Sequence, residues 1–283
     1  AAAATVFIGT LYPLLLDAFT GEKISVGPPY FALTFAPLFV ALILIVPFGP
    51  RLGWRNGQWR DAARILAPAG GIALVAAIIV LAFVTPRSVV GALALALGVW
   101  TIAAAVIDLV RRGDLRALPI SAFASAFAHA GLGITLLGIA ATSIWRSEGL
   151  ELLKPGQTMP IAGYTLRLES VQLLQGPNYE AERATISVLS GDRTIATMSP
   201  ENRAYPVEGQ AKAVTAIRTT GVSDLYLALG DERDGGWIVR AYVSPLAPFI
   251  WIGGAFMALG GLAGLWARLR PRRVSSAQLA AAE

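Results

Sequence analysis

Apolar residues gather into six nearly unbroken stretches separated by short polar breaks: Ala1–Leu16, Phe31–Phe48, Ile65–Val84, Val89–Val110, Ser121–Trp145 and Pro245–Leu265. A helix of about 20 apolar residues crosses the hydrocarbon core of a bilayer, at ~1.5 Å per residue. The stretches therefore predict six membrane spans, the first of them short. The breaks carry the turn-forming and charged residues. Gly27, Pro28 and Pro29 lie in the loop Asp17–Tyr30, and Arg51, Arg55, Arg60 and Arg64 follow the second span. Thr85-Pro86-Arg87-Ser88 turns the third into the fourth, and Arg111, Arg112 and Arg116 precede the fifth.

The pattern changes between the fifth and sixth spans. From Arg146 to Ser244 the long apolar runs give way to short ones rich in branched and aromatic residues: Thr165–Val171, Ala184–Leu189, Val214–Arg218, Ser223–Leu229 and Trp237–Val243. Leu225, Leu227 and Leu229 alternate onto one face of a strand, as do Ile186 and Val188. Ser190-Gly191-Asp192 and the stretch Gly230–Gly236 are predicted hairpin turns. Five to seven strands in about 100 residues make a small barrel or sandwich. The predicted fold is thus a polytopic α-helical membrane protein of about six spans, with a small all-β domain inserted before the last. Residues 1–145 hold the first five helices, 146–244 the β domain, 245–267 the last helix and 268–283 a basic tail.

Composition agrees: 55% hydrophobic against 14% charged residues fits an integral membrane protein. With no cysteine and one histidine, disulfides, thiolate metal sites and multi-histidine sites built from this chain alone are excluded. The chain opens AAAATVFIGT without Met or a basic leader, which reads as a piece of a longer protein. Its arginines sort by loop. One face carries four, three and four, the last group being Arg268, Arg270, Arg272 and Arg273, and the other carries Lys23 and Arg87. The positive-inside rule then predicts cytoplasmic termini and an external β domain. In that domain ten basic residues face twelve acidic ones. Basic residues that flank spans without forming a stripe on a folded domain argue against a nucleic-acid partner.

Chemistry-bearing residues are few. The β domain shows no phosphate loop, paired-carboxylate spacing or metal-ligand cluster, so docking or a lid role is its simplest reading. Within the spans, Asp17 and Asp108 sit at ends and His129 alone is deep, roughly nine residues or ~13 Å from one end of its helix. An imidazole at that depth is costly unless something binds it. Ser125, Ala126, Leu132 and Gly133 share its helical face, and Ala126, Ala130 and Gly133 leave a shallow surface that would clear a planar macrocycle. Three readings stay open: ligation of haem iron, an interhelical hydrogen bond, and a proton relay, for which no second titratable group is found in the membrane. Met159, Met198 and Met257 are poor candidates for a second ligand. Gly260 and Gly264 suggest close helix packing, Trp145, Trp251 and Trp266 interfacial anchors, and Trp100 internal packing.

Several segments, in order along the whole chain, resemble one family. They are Gly9-Thr10-Leu11-Tyr12-Pro13, Lys23–Phe31 (KISVGPPYF), Ala128-His129-Ala130-Gly131, Ser199–Tyr205 (SPENRAY), Asp224-Leu225-Tyr226 and Pro245–Gly254 (PLAPFIWIGG). Together they are similar to the C-terminal half of the CcmF family, the large membrane subunit of bacterial cytochrome c maturation haem lyases. The resemblance implies an inner-membrane protein with a periplasmic β domain, working in a complex that attaches haem to the thiols of apocytochrome c. It also implies a haem b held in the membrane between two histidines, of which His129 matches one as axial ligand to the iron. The second axial histidine and a tryptophan-rich haem-handling segment belong to the family's N-terminal half, which would be a partner here. Other maturation subunits, the haem chaperone and apocytochrome c would be partners too. Asn202 stands where the family usually has Lys, and Ala216 where Glu is common. On this reading the chain is part of a haem lyase and incomplete as a catalyst alone. A membrane scaffold without haem and a haem or small-molecule exporter are the alternatives; the scarcity of intramembrane charge weighs against the exporter.

Overall fold

The computed structural model describes residues 2–22, 28–52, 58–207 and 209–269. Six α-helices are present among the described residues: α1 (Ala2–Thr20), α2 (Pro28–Ile45), α3 (Trp59–Phe83), α4 (Val89–Val110), α5 (Ile120–Ile144) and α6 (Ala247–Leu269). All six are long and apolar enough to span a membrane, and an all-β domain lies between the fifth and sixth, as expected. The ends differ for physical reasons. α1 continues past Leu16 to Thr20, where Gly21 at φ +70° returns its N–H to Asp17 O at 3.0 Å and closes the helix. α2 stops at Ile45 rather than Phe48, and Val46–Arg51 tightens into a 3-10 turn, since Pro47 and Pro50 lack the N–H groups an α-helix needs. α3 starts at Trp59, so Arg60 and Arg64 belong to its first turns and not to a loop. Lys23–Gly27, Trp54, Arg55 and the basic tail beyond Leu269 lie outside the described residues.

The chain divides into two compact units: Ala1–Val80, Ala92–Ile134 and Gly253–Glu283 form one, and Leu81–Gly91 with Thr135–Ile252 the other. The first is helical and held by small residues. A Cβ placed on Gly131 would stand 2.6 Å from Gly253 O and 2.7 Å from Met257 N, so only glycine lets the α5 and α6 backbones come this close. Gly133 meets Gly98 O of α4 at 2.7 Å in the same sense, and Gly260 meets Ala124 O and Ala128 N at 2.7 Å. Gly264 has ordinary room, 3.7 Å to Ala124 Cβ. The tight member of the expected Gly260/Gly264 pair is therefore Gly260. Trp100 packs as predicted, against Phe48 and a buried cluster of Leu66, Ala69 and Ala104.

Among its described residues the second unit carries ten strands, more than the five to seven expected. They are β1 (Ser147–Leu153), β2 (Thr158–Ile161), β3 (Tyr164–Gln175), β4 (Glu180–Ser190), β5 (Arg193–Met198), β6 (Glu201–Tyr205), β7 (Gln210–Val214), β8 (Ala216–Thr219), β9 (Ser223–Arg233) and β10 (Gly236–Pro245). One antiparallel sheet runs β1-β10-β9-β8 and the other β2-β3-β4-β6-β7, with β5 also on β4. A single core lies between them: Leu166, Leu168, Ile186 and Val188 from one sheet, Leu225, Leu227, Leu229 and Val239 from the other. The alternation seen at Leu225–Leu229 and Ile186–Val188 is the inward face of that sandwich. Val214–Arg218, expected as one strand, is two, broken at Thr215. β7 pairs with β6 in one sheet and β8 with β9 in the other, so the chain changes sheets there. The Ser190–Asp192 turn is as predicted. The second turn narrows to Asp234-Gly235, both at positive φ, because β9 extends to Arg233. At the helix ends of this unit, Trp145 Nε1 donates to Pro86 O at 3.0 Å and Thr142 Oγ1 to Pro245 O at 3.1 Å. Trp145 thus locks the α3–α4 turn to the end of α5, beyond any role as an anchor.

Candidate functional site

His129 lies in the first half of α5, half-buried. Its Nδ1 is 2.7 Å from the carbonyl oxygen of Ser125, one turn earlier on the same helix. A carbonyl can only accept, so Nδ1 donates, and in the neutral imidazole Nε2 is the nitrogen with a lone pair to offer. Among the described residues its hydrogen-bond partners are confined to Ser125. The interhelical bond considered from the sequence is therefore replaced by an intrahelical one. A histidine that donates one nitrogen to a carbonyl and presents the other unprotonated has the arrangement typical of metal-bound imidazoles.

The surroundings are tighter than the sequence suggested. The Ser125–Ala126–His129 side borders a cleft of about 10 Å³, walled by Pro47 and Pro50 of the 3-10 turn and by Ala104 and Asp108 of α4. That volume admits about one water. Gly133, expected to leave clearance, is covered by α4. The small residues on these positions serve helix packing, and room for a macrocycle is not found on this side.

Asp108 is the neighbour that sequence reading passed over as a helix-end charge. It is buried, and its carboxylate pairs with Arg51 through Oδ1 and with Arg112 through Oδ2 at 2.8 Å. Arg51 also donates to the Asp108 carbonyl at 3.1 Å. These bonds pin the 3-10 turn to the end of α4 and so set one wall of the cleft at His129. The Asp108–Arg112 half of the network, an i,i+4 pair, was available in the sequence. The Arg51 half, 57 residues away, was not.

In the β domain, the Ser199–Tyr205 element has a structural explanation. Glu201 is only 5% exposed, and its two oxygens accept from Arg183 (2.5 Å) and Arg203 (2.7 Å). Arg203 lies 4.3 Å from the centroid of the Tyr179 ring, which Tyr205 also meets. Burial would raise the Glu201 pKa, yet the hydrogen bonds from Arg203 and Arg183 outweigh it and hold the carboxyl below its ordinary value of 4.5. Glu169 is lowered as well, by hydrogen bonds from Ser187 and then Arg167. Asn202 reaches Asp231 at 3.4 Å, and Ala216 packs against the sandwich core. Among the described residues no group of three or more His, Cys, Asp or Glu side chains could hold a metal ion. The element at Ser199–Tyr205 is a latch between strands, without the geometry of a reactive centre.

Six helices long and apolar enough to cross a membrane, with an all-β domain between the fifth and sixth in the chain, define a multi-pass membrane protein. Comparison with known proteins gives the particular kind. The family described as CcmF C-terminal beta-sandwich matches residues 144–245. Cytochrome c-type biogenesis protein CycK of Bradyrhizobium diazoefficiens is 40% identical over 277 residues, which cover 93% of this chain and 42% of that protein. Cytochrome c-type biogenesis protein CcmF of Escherichia coli is 32% identical over 281 residues, 97% of this chain and 43% of that one. A solved structure, Cytochrome c Heme Lyase CcmF, shares the fold with a TM-score of 0.72 at 24% identity, over 94% of this chain and 43% of its own. The chain is homologous to the C-terminal ~40% of the CcmF, CycK and Ccl1 cytochrome c biogenesis proteins and carries their β-sandwich. It spans about two fifths of the length of these curated relatives.

Proposed function

We propose that this chain is the C-terminal part of a cytochrome c haem lyase, and that His129 supplies one axial ligand to a haem b in the membrane. The observation that carries the reading is the Nδ1–H···O bond to Ser125, which makes Nε2 the nitrogen that the neutral imidazole of the chain's single histidine can offer to a metal, inside a span. The donor set fits one axial position and no more, since the chain has no second histidine and no cysteine. The complement would come from the N-terminal part of the lyase. Bound there, haem b would supply one-electron chemistry to keep the iron of the haem being attached reduced. This chain's own contribution is to orient the imidazole through Ser125 and to hold the wall beside it through Arg51 and Asp108. The arginine bias favours a cytoplasmic position for the α4–α5 loop and a periplasmic one for the sandwich, on the face where apocytochrome c and the haem chaperone would be met.

The test is the visible spectrum of the assembled lyase. Replacing His129 by Ala should abolish or strongly shift the haem b bands while the complex still assembles. An unchanged spectrum would remove His129 from the ligand set.

A further inference from the structure

The edge strands of the sandwich differ in sequence. β2 and β8 are four residues long and hold Pro160 and Arg218, β7 holds Lys212, and β5 opens with Arg193. Short length, proline and basic side chains all blunt a sheet edge against further pairing. β1 ends its sheet with seven residues, Ser-Glu-Gly-Leu-Glu-Leu-Leu, and has none of these guards. Among the described residues it pairs with β10 alone. Register fixes where its other backbone groups point. Leu246 N–H donates to Val222 O at 2.7 Å, in step with Ser244 opposite Asp224, so even-numbered residues of β10 turn their backbone to β9. Odd-numbered ones then face β1, where Ala241 is opposite Gly149 and Val239 opposite Glu151. The N–H and C=O groups of Glu148, Leu150 and Leu152 are left pointing out of the sheet. Their side chains share the outer face, because Leu153 is in the core and a Cβ on Gly149 would meet Met159 Sδ at 3.3 Å. Leu150 and Leu152 are 52% and 42% exposed, so that face is uncovered.

Charge narrows what pairs there. Glu151 lies between the two leucines, exposed and without an ion pair among the described residues. Glu148 has only Arg240, at 3.9 Å, with both side chains half-exposed. A second copy that matched Leu150 to Leu152 would set Glu151 against Glu151, and like charges directly opposite destabilise a ladder. We propose that the edge of β1 takes up an extended segment of a partner polypeptide, of pattern apolar–basic–apolar, as a further strand of its sheet. The main chain of that segment pairs with Glu148, Leu150 and Leu152, its apolar side chains lie beside the two leucines, and its Lys or Arg meets Glu151. The pattern is the same read in either direction, so parallel and antiparallel addition both satisfy it. This strand addition is independent of any haem at His129.

The experiment uses the full chain in detergent and a fluorescent peptide of about eight residues, with threonine at its ends and Val-Lys-Val at its centre. Anisotropy reads affinity, and residue-resolved hydrogen exchange reads the edge. Bound peptide should slow exchange at Glu148, Leu150 and Leu152 about tenfold and leave Gly149 and Glu151, already bonded to β10, unchanged. Leu150→Pro removes an N–H that β10 does not use and should weaken binding about tenfold, the loss of one hydrogen bond. Glu151→Lys should weaken binding of Val-Lys-Val to a similar degree and create affinity for a Val-Glu-Val peptide. Protection of β9 and β10 shows whether the variants are folded. If Leu150→Pro unfolds, backbone N-methylation of the peptide blocks the same ladder from the other side and should abolish binding to the wild-type protein. The proposal is overturned if Val-Lys-Val does not bind, if Val-Glu-Val binds the wild-type protein equally well, or if binding survives loss of the ladder. A dimer of the free protein that already protects Leu150 and Leu152 overturns it too.

Discussion

The sandwich and the helices solve the burial problem in opposite ways. Between the two sheets, Leu166, Leu168, Leu227 and Val239 are wholly removed from solvent, and the strands are joined by long antiparallel ladders, each with one register shift, at Leu168/Ser170 in β3–β4 and Trp237/Val239 in β9–β10. On the helices, large apolar side chains such as Leu33, at 78% exposure, and Phe7, at 63%, face outward. Apart from a few large side chains such as Ile43 and Leu66, what the helices bury against one another is small: Ala69, Ala73, Ala104, Ala124 and the glycines of α5 and α6. A water-soluble fold must hide its large apolar residues inside. A membrane fold gains nothing by doing so, since lipid is as apolar as leucine, and it spends its small residues on backbone approach. The outward face then remains available to lipid or to the other part of a larger protein.

That contrast can be broken from either side. Leu227→Ala leaves a cavity in the sandwich core, and the loss should be about 2–5 kcal/mol. Denaturant titration followed by hydrogen exchange of β3 and β4 checks it; unchanged protection would mean that the two sheets do not depend on each other. In the helices the equivalent lesion adds atoms. Gly131→Val drives a side chain into Gly253 O and Met257 N, backbone that cannot step aside, and should cost about 1–3 kcal/mol. A lowered thermal midpoint in detergent, with the sandwich still protected, is the expected result.

Glu201 gives a smaller effect with a pH signature. Glu201→Gln keeps the shape and weakens two charge-assisted hydrogen bonds, for about 1–2 kcal/mol at neutral pH. Because the folded-state pKa lies below 4.5, the ionised group stabilises the sandwich above that pH, and the contribution fades as pH falls through the folded value. Acid titration of wild-type and Gln proteins should therefore begin to converge near pH 4.5 and meet only once pH is below the folded-state pKa; parallel curves would contradict the latch. The smallest change should come from Leu259→Ala on an outward face of α6. Within about 0.5 kcal/mol is expected of the isolated chain in detergent. A loss approaching that of Leu227 would erase the contrast.

Much of this was legible in advance where the signal is local. Span number and order follow from runs of apolar residues, and the inward face at Leu225, Leu227 and Leu229 follows from a period of two. The break at Thr215 was not legible, because Val214–Arg218 has the composition of one strand and only pairing partners in different sheets split it. β1, β2, β5, β6 and β7 escaped notice because their short sequences lack a dense apolar alternation and are held by neighbours. At the candidate site, the sequence singled out His129 by its isolation, and the shallow face beside it was recognised, but not what covers that face. Arg51 reaches Asp108 and Pro47 reaches the cleft only through the docking of the 3-10 turn, which no spacing rule foretells.

The sequence by itself determined that the chain crosses a membrane, that a β domain interrupts the crossings, and that one buried histidine is the place to look for a ligand. These are consequences of transfer free energy and periodicity, both of which are written residue by residue. Tertiary structure alone decided that Arg51 meets Asp108 at the cleft beside His129, since the docking of the 3-10 turn on α4 brings the two together. It also decided that β1 stands at the edge of its sheet with one side unpaired. Both are questions of which polar groups find partners, and partners are set by packing across the chain.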